Sequence, residues 1–216
     1  MAPFARTSYA AVMESSWSES RAAFEAAAEW FISTASQVGD RWEQPGLGEW
    51  DVRALVGHAS RSFITIETYL AQPPDSIDIE SAALYYRAIR PILAGPGVAD
   101  RGRAAGEALG DDPVTAVREI ADRVTALVQR STGEELLTSI AGGMRLRDYL
   151  PTRTFELVIH TCDLAVALGL PVSPPTIAAR DTMQLSLEVA LDRGQAGDVL
   201  LALTGRRPLP PDFSVV

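Results

Sequence analysis

Apolar residues recur about every 3.6 positions through most of this 216-residue chain, and that period commits it to helices. Phe24, Ala27, Phe31, Ala35 and Val38 form one such stripe, on a first helix expected over residues 9–38 and ended by Gly39. A loop with Pro45 and two glycines follows. Asp51 is placed to cap a second helix, DVRALVGHASRSFITIETYLAQ, which Pro73 and Pro74 stop. A shorter helix is expected over residues 79–93. Asp112 and Pro113 read as the N-cap and first position of a third long helix, to residue 130. Gly142 and Gly143 suggest a turn, with room for one short β-hairpin. Asp148 is expected to cap the fourth long helix, which stops near Gly169. Two later stretches, TIAARDTMQLSLEVALDRG and QAGDVLLALTG, read as further helices, and the tail RRPLPPDFSVV as an extended segment packed back across the bundle. The simplest architecture is all-α. Residues 1–170 would form a four-helix bundle, and residues 171–216 a C-terminal helical extension packed on it.

Charge narrows the function. The net charge is −9, and all 19 basic residues are arginine. Such a chain lacks the basic face that displaces counterions from phosphate, so nucleic acid is not an expected partner, nor is an anionic lipid surface. The one cysteine, Cys162, excludes an intramolecular disulfide and fits a reducing compartment. No signal peptide or membrane span is read in the sequence. The expectation is a soluble, cytoplasmic protein, monomeric or homodimeric.

The chain has only two histidines. His160 follows Glu156 by four positions in TFELVIHTCDL, so on a helix the two side chains share a face. His58 lies in the second long helix, near the edge of its buried stripe. If the second and fourth long helices pack together, His58, Glu156 and His160 converge in the interior. Two imidazoles and a carboxylate suit a divalent metal such as zinc, with a position left open as in catalytic sites; nickel or iron would accept the same ligands. The plain alternative is a surface hydrogen bond within the Glu–His pair and a satisfied rim histidine. The HExxH pattern of metalloproteases is absent.

Two segments carry a resemblance. WEQPGLGEWDVRALVGHA, residues 42–59, and RTFELVIHTCDLAVALGLP, residues 153–171, resemble the two signatures of the mycothiol-dependent maleylpyruvate isomerases and their relatives, and LLALTGRRPLP is similar to that family's ending. The resemblance implies a DinB-like metal-binding four-helix bundle with His58, Glu156 and His160 as metal ligands. Asp51 stands where Ser or Thr is more usual in the family, and all three residue types cap helices. It also implies mycothiol as cosubstrate, a small electrophile as substrate, and isomerisation or S-transfer as the reaction. A metal-binding bundle without thiol chemistry (hydrolase, sensor or scaffold) is the second reading, and a purely structural helical protein the third. Asp163 could orient a ligand, and Arg153 could hold Glu156 or bind substrate, though each could equally be a surface charge. Trp50 is expected to pack the loop onto the bundle and Cys162 to act as a small buried apolar residue. Tyr85, Tyr86 and Arg87 could line a pocket mouth, and Arg101 and Arg103 could receive an acidic ligand or form a solvated face.

Overall fold

A computed structural model describes residues 16–93 and 97–216. Its main elements are α1 (Trp17–Ala35), α2 (Val52–Leu70), α3 (Ala82–Leu93), α4 (Val98–Glu107), α5 (Pro113–Arg130), α6 (Leu146–Ala167), α7 (Thr176–Asp192) and α8 (Ala196–Leu203). Two small antiparallel hairpins interrupt them: β1 (Pro45–Leu47) with β2 (Trp50–Asp51), and β3 (Leu136–Ser139) with β4 (Gly142–Arg145). The expected start of the first helix near Tyr9 lies outside the described residues.

Four helices form the bundle. α1 and α2 each pack against both α5 and α6. Phe24, Ala27, Phe31, Ala35 and Val38 are fully buried, as their spacing predicts. Phe63 of α2 fills the space opposite, its ring 5.7 Å from Phe24 and edge-on to it. α7 packs on α1, α6 and α3, and its Ala178, Leu185 and Val189 belong to the same core. The tail does turn back: Val215 packs against the core, and the Ser214 carbonyl accepts from Arg193 and Gln195.

The caps follow the sequence where a side chain is available. Ser16 and Glu19 form a reciprocal capping box on α1. The Asp51 carboxylate accepts from Ala54 N at 2.7 Å, and Asp112 accepts from Thr115 N with Pro113 at the first helical position. Asp148 is a correction. α6 begins at Leu146, because β4 feeds straight into it and Leu146 N donates to the Glu135 carbonyl. Asp148 instead lies in the first turn, where a carboxylate meets the positive end of the helix dipole. Gly142 and Gly143 are also shifted: they open β4, and the β3–β4 turn falls at Ile140 and Ala141. A Cβ at Gly143 would stand 2.0 Å from the Ser76 carbonyl oxygen, so the α2–α3 connector can lie on this strand only over glycine.

α4 is an element that the periodicity does not announce. It lies against α2 through facing glycines, since a Cβ on Gly57 would come within 2.1 Å of the Gly106 nitrogen. That contact lets two backbones approach without side chains between them.

Candidate metal centre

The site grows from the α2–α6 contact. Glu156 and His160 stand one turn apart on α6, and His58 faces them from α2. One ligating atom from each of the three lies within 4.8 Å of the others; among the described residues this is the group of acids, histidines or cysteines with that property. His160 Nε2 is 3.3 Å from Glu156 Oε2, and the two imidazole rings are 4.8 Å apart and perpendicular.

Each member is held from outside. His160 Nδ1 lies 3.1 Å from Asp163 Oδ2, which fixes the ring and leaves Nε2 toward Glu156. The Tyr86 hydroxyl donates to Glu156 Oε1 at 2.8 Å from α3. Trp50 covers His58, the ring centres 4.4 Å apart, while its indole N–H donates to the Ala99 carbonyl at the start of α4. α4 makes room for that indole with Gly102, where a Cβ would fall 2.5 Å from the ring.

The protonation pattern suits ligation in two of three members. Burial, with the charge of His160 next, pushes the His58 imidazole down to about 4, so it is neutral at pH 7. Its Nδ1 is buried and has no hydrogen-bond partner among the described residues. A buried imidazole nitrogen with no protein partner, on a ring grouped with a carboxylate and a second imidazole, suits a cation. Burial works to raise the Glu156 carboxyl, but the His160 hydrogen bond and charge, then Arg153, outweigh it and hold it at about 2. Burial works to lower His160, but the hydrogen bonds to Asp163 and Glu156 raise it to about 9. His160 Nε2, which faces Glu156, would have to give up its proton to a metal held by those two side chains, while Nδ1 keeps its contact with Asp163. The donor set of two nitrogens and one oxygen fits zinc, and nickel or iron as well.

The triad forms part of the wall of a cavity of about 700 Å³. Tyr85, Ile89, Ile92, Phe155 and Ile159 supply apolar surface, and Ile140 and Val216 lie on the same wall. Three arginines reach it: Arg61, Arg101 and Arg153. None of the three forms a salt bridge among the described residues. Arg153 is only 8% exposed, lying over the Tyr149 ring at 4.7 Å and the Tyr85 ring at 5.7 Å.

The remaining sequence candidates divide. Trp50 packs the loop as expected and also covers a candidate ligand. Tyr85 and Tyr86 line the cavity, whereas Arg87 is turned away into a salt bridge with Asp192. Arg103 pairs with Asp100 on an exposed face. Cys162 packs against the core, and burial, then Asp163, raises its thiol. Sequence reasoning did not find the Tyr86–Glu156 bond or Arg61. The only signal for Tyr86 was the aromatic pair at 85–86, and Arg61 carried only its position one turn past His58.

A family model described as mycothiol maleylpyruvate isomerase N-terminal domain matches residues 40–165, more than half of the chain. No curated protein and no solved structure matches.

Proposed function

From a chain that belongs to the mycothiol maleylpyruvate isomerase N-terminal domain family, we propose a metal-dependent enzyme of thiol chemistry. His58, Glu156 and His160 hold a divalent metal, zinc by first choice, and the cosubstrate is a low-molecular-weight thiol, mycothiol. The substrate is a small electrophile, and the outcome is cis–trans isomerisation or S-transfer. The observation that carries this reading is the convergence of the three ligating atoms on a cavity wall, with the His58 Nδ1 orphaned.

The bound metal would supply a lowered thiol pKa, bringing a group of ordinary pKa about 8.5 to its thiolate near neutral pH. The chain's residues do the rest. His58 is already neutral, and Glu156 ionised, so both are ready as ligands at pH 7. Asp163 and Tyr86 keep His160 and Glu156 in place while the thiol enters and leaves. Arg61, Arg101 and Arg153 draw in an electrophile that carries an acidic group, and the isoleucines beside them exclude water from its carbon body. The chain has no activated thiol of its own, which is why an external one completes the site. A hydrolase would need a general base near neutrality besides the ligands. The Tyr85 and Tyr86 phenols are both raised by burial and do not serve. A cytoplasmic setting fits this chemistry, and among the described residues no helix is long and apolar enough to cross a membrane.

The test is thiol-dependent turnover. Protein loaded with zinc is screened with mycothiol against small unsaturated acids and activated halides, beside His58→Ala. Turnover that needs both metal and thiol, and is lost with His58, supports the reading. A His58→Ala protein that keeps both metal and turnover ends it.

A further inference from the structure

On another face of α6 a second cavity, of about 310 Å³, opens between the first turns of α1 and α6, the start of α3 and the middle of α7. It shares no lining residue with the cavity of the metal triad. Glu80, Asp148, Asp181 and Glu188 border it. Arg147, on its wall, is already paired with Glu134.

Asp181 is the residue that makes this more than an acidic surface. It is only 7% exposed, and its Oδ2 is buried with no hydrogen-bond partner among the described residues. It stands on the α7 face whose Gln184, Leu185 and Glu188 line the same cavity, at helical spacings of three, four and seven. A carboxylate this deep is costly unless a cation or donor meets it. A bare metal ion does not fit, because it needs ligands gathered closely. Among the described residues only His58, Glu156 and His160 bring three ligating atoms within 4.8 Å. Here the acids are spread around a volume that falls in the range of small-molecule sites, with Trp17, Ala82 and Leu185 as apolar wall.

We propose that this cavity binds a small organic ammonium ion, its N–H groups donating to Asp181 and Glu188 and its carbon chain lying against Trp17 and Leu185. Burial, then the charge of Glu188, raises the Asp181 carboxyl to about 7. The other charged groups facing it are Glu80, Arg147 and Asp148. Occupancy by a cation therefore strengthens as pH rises from 6 to 8 and Asp181 ionises.

The experiment is calorimetric titration of the whole protein with 1,4-diaminobutane and with n-butylamine, using n-butanol as the uncharged control. Wild type and His58→Ala should bind both amines saturably, since the site is independent of the metal centre. Asp181→Asn keeps the shape and removes the charge, and should weaken binding roughly tenfold to a hundredfold, the worth of a hydrogen bond to a charged group. Glu188→Gln, at the cavity edge, is the second variant and should lose affinity as well. The proposal falls if wild type binds neither amine, if both variants bind as wild type does, or if n-butanol binds equally. Tighter binding of sodium or magnesium at the same acids would make it a metal-ion site and would also overturn it.

Discussion

Replacing Gly57 by alanine should weaken both the fold and the metal site, through its contact with α4, a helix that contributes no ligand. The added Cβ would stand 2.1 Å from Gly106 N, 2.4 Å from its Cα and 2.5 Å from the Ala105 carbonyl carbon. All three are backbone atoms, so no side chain can swing aside. An ordinary contact begins at 3.4 Å, so α2 and α4 must part by about 1 Å. Overpacking of this kind costs about 3 kcal/mol, the top of its usual range, because rigid backbone takes the strain. Alanine's better helix propensity returns about 1 kcal/mol. The net loss is about 2 kcal/mol, or about 4–8 °C in Tm for a chain of this size. Urea unfolding followed by circular dichroism reads it directly. Gly197→Ala is the control: it lies in α8 with no heavy atom within 4 Å of the added carbon, and should be neutral or slightly stabilising. Parting the helices also loosens the seat of Trp50 over His58, so metal affinity should fall together with stability. A Gly57→Ala protein with a urea midpoint at or above wild type, while Gly197→Ala behaves as expected, would refute the reasoning.

Three further outcomes can be checked. In chelator-treated protein, the raised His160 stabilises fully below its unfolded value of 6.5, and that contribution is lost as pH climbs through about 9. The depressed His58 acts the other way, its benefit present above 6.5 and lost as pH falls toward about 4. In an Asp181→Asn background, which removes the opposing titration of that carboxyl at about 7, melting temperature should therefore peak near pH 6.5 and fall on both sides, and zinc should abolish the alkaline fall; a flat alkaline limb without metal would contradict the charge assignment. Asp163→Asn and Tyr86→Phe should each weaken metal binding roughly tenfold to a hundredfold in a competition titration, without unfolding the protein. Cys162→Ala should leave metal content and thiol-dependent turnover unchanged, and a large loss of turnover would show that the protein's own thiol is used.

Much of the bundle was legible because its signals are local. The α1 stripe, the Asp51 and Asp112 caps and the Glu156–His160 spacing all lie within a few residues of one another. α4 was hidden for the opposite reason. Its sequence, VADRGRAAGE, has two glycines and little apolar surface, and those glycines are what fit it against α2 and Trp50. Helix propensity argues against such a segment and tertiary packing overrides it. β1 and β2 are too short to show a period. In the site, the carboxylate–histidine pair could be seen along one helix, whereas the Tyr86 contact to Glu156 spans 70 positions and depends on how α3 crosses α6. The burial of Arg153 was likewise invisible, since the aromatic rings around it come from Tyr85 in α3 and Tyr149 in α6.

The most direct test is elemental analysis of wild type and His160→Ala, purified without chelators and supplied with equal zinc and nickel. Wild type should carry about one divalent metal ion per chain and His160→Ala essentially none, since only His58 and Glu156 of the three protein ligands would remain. Wild type without metal, or a variant that retains as much as wild type, would contradict the metal centre on which the proposed chemistry stands.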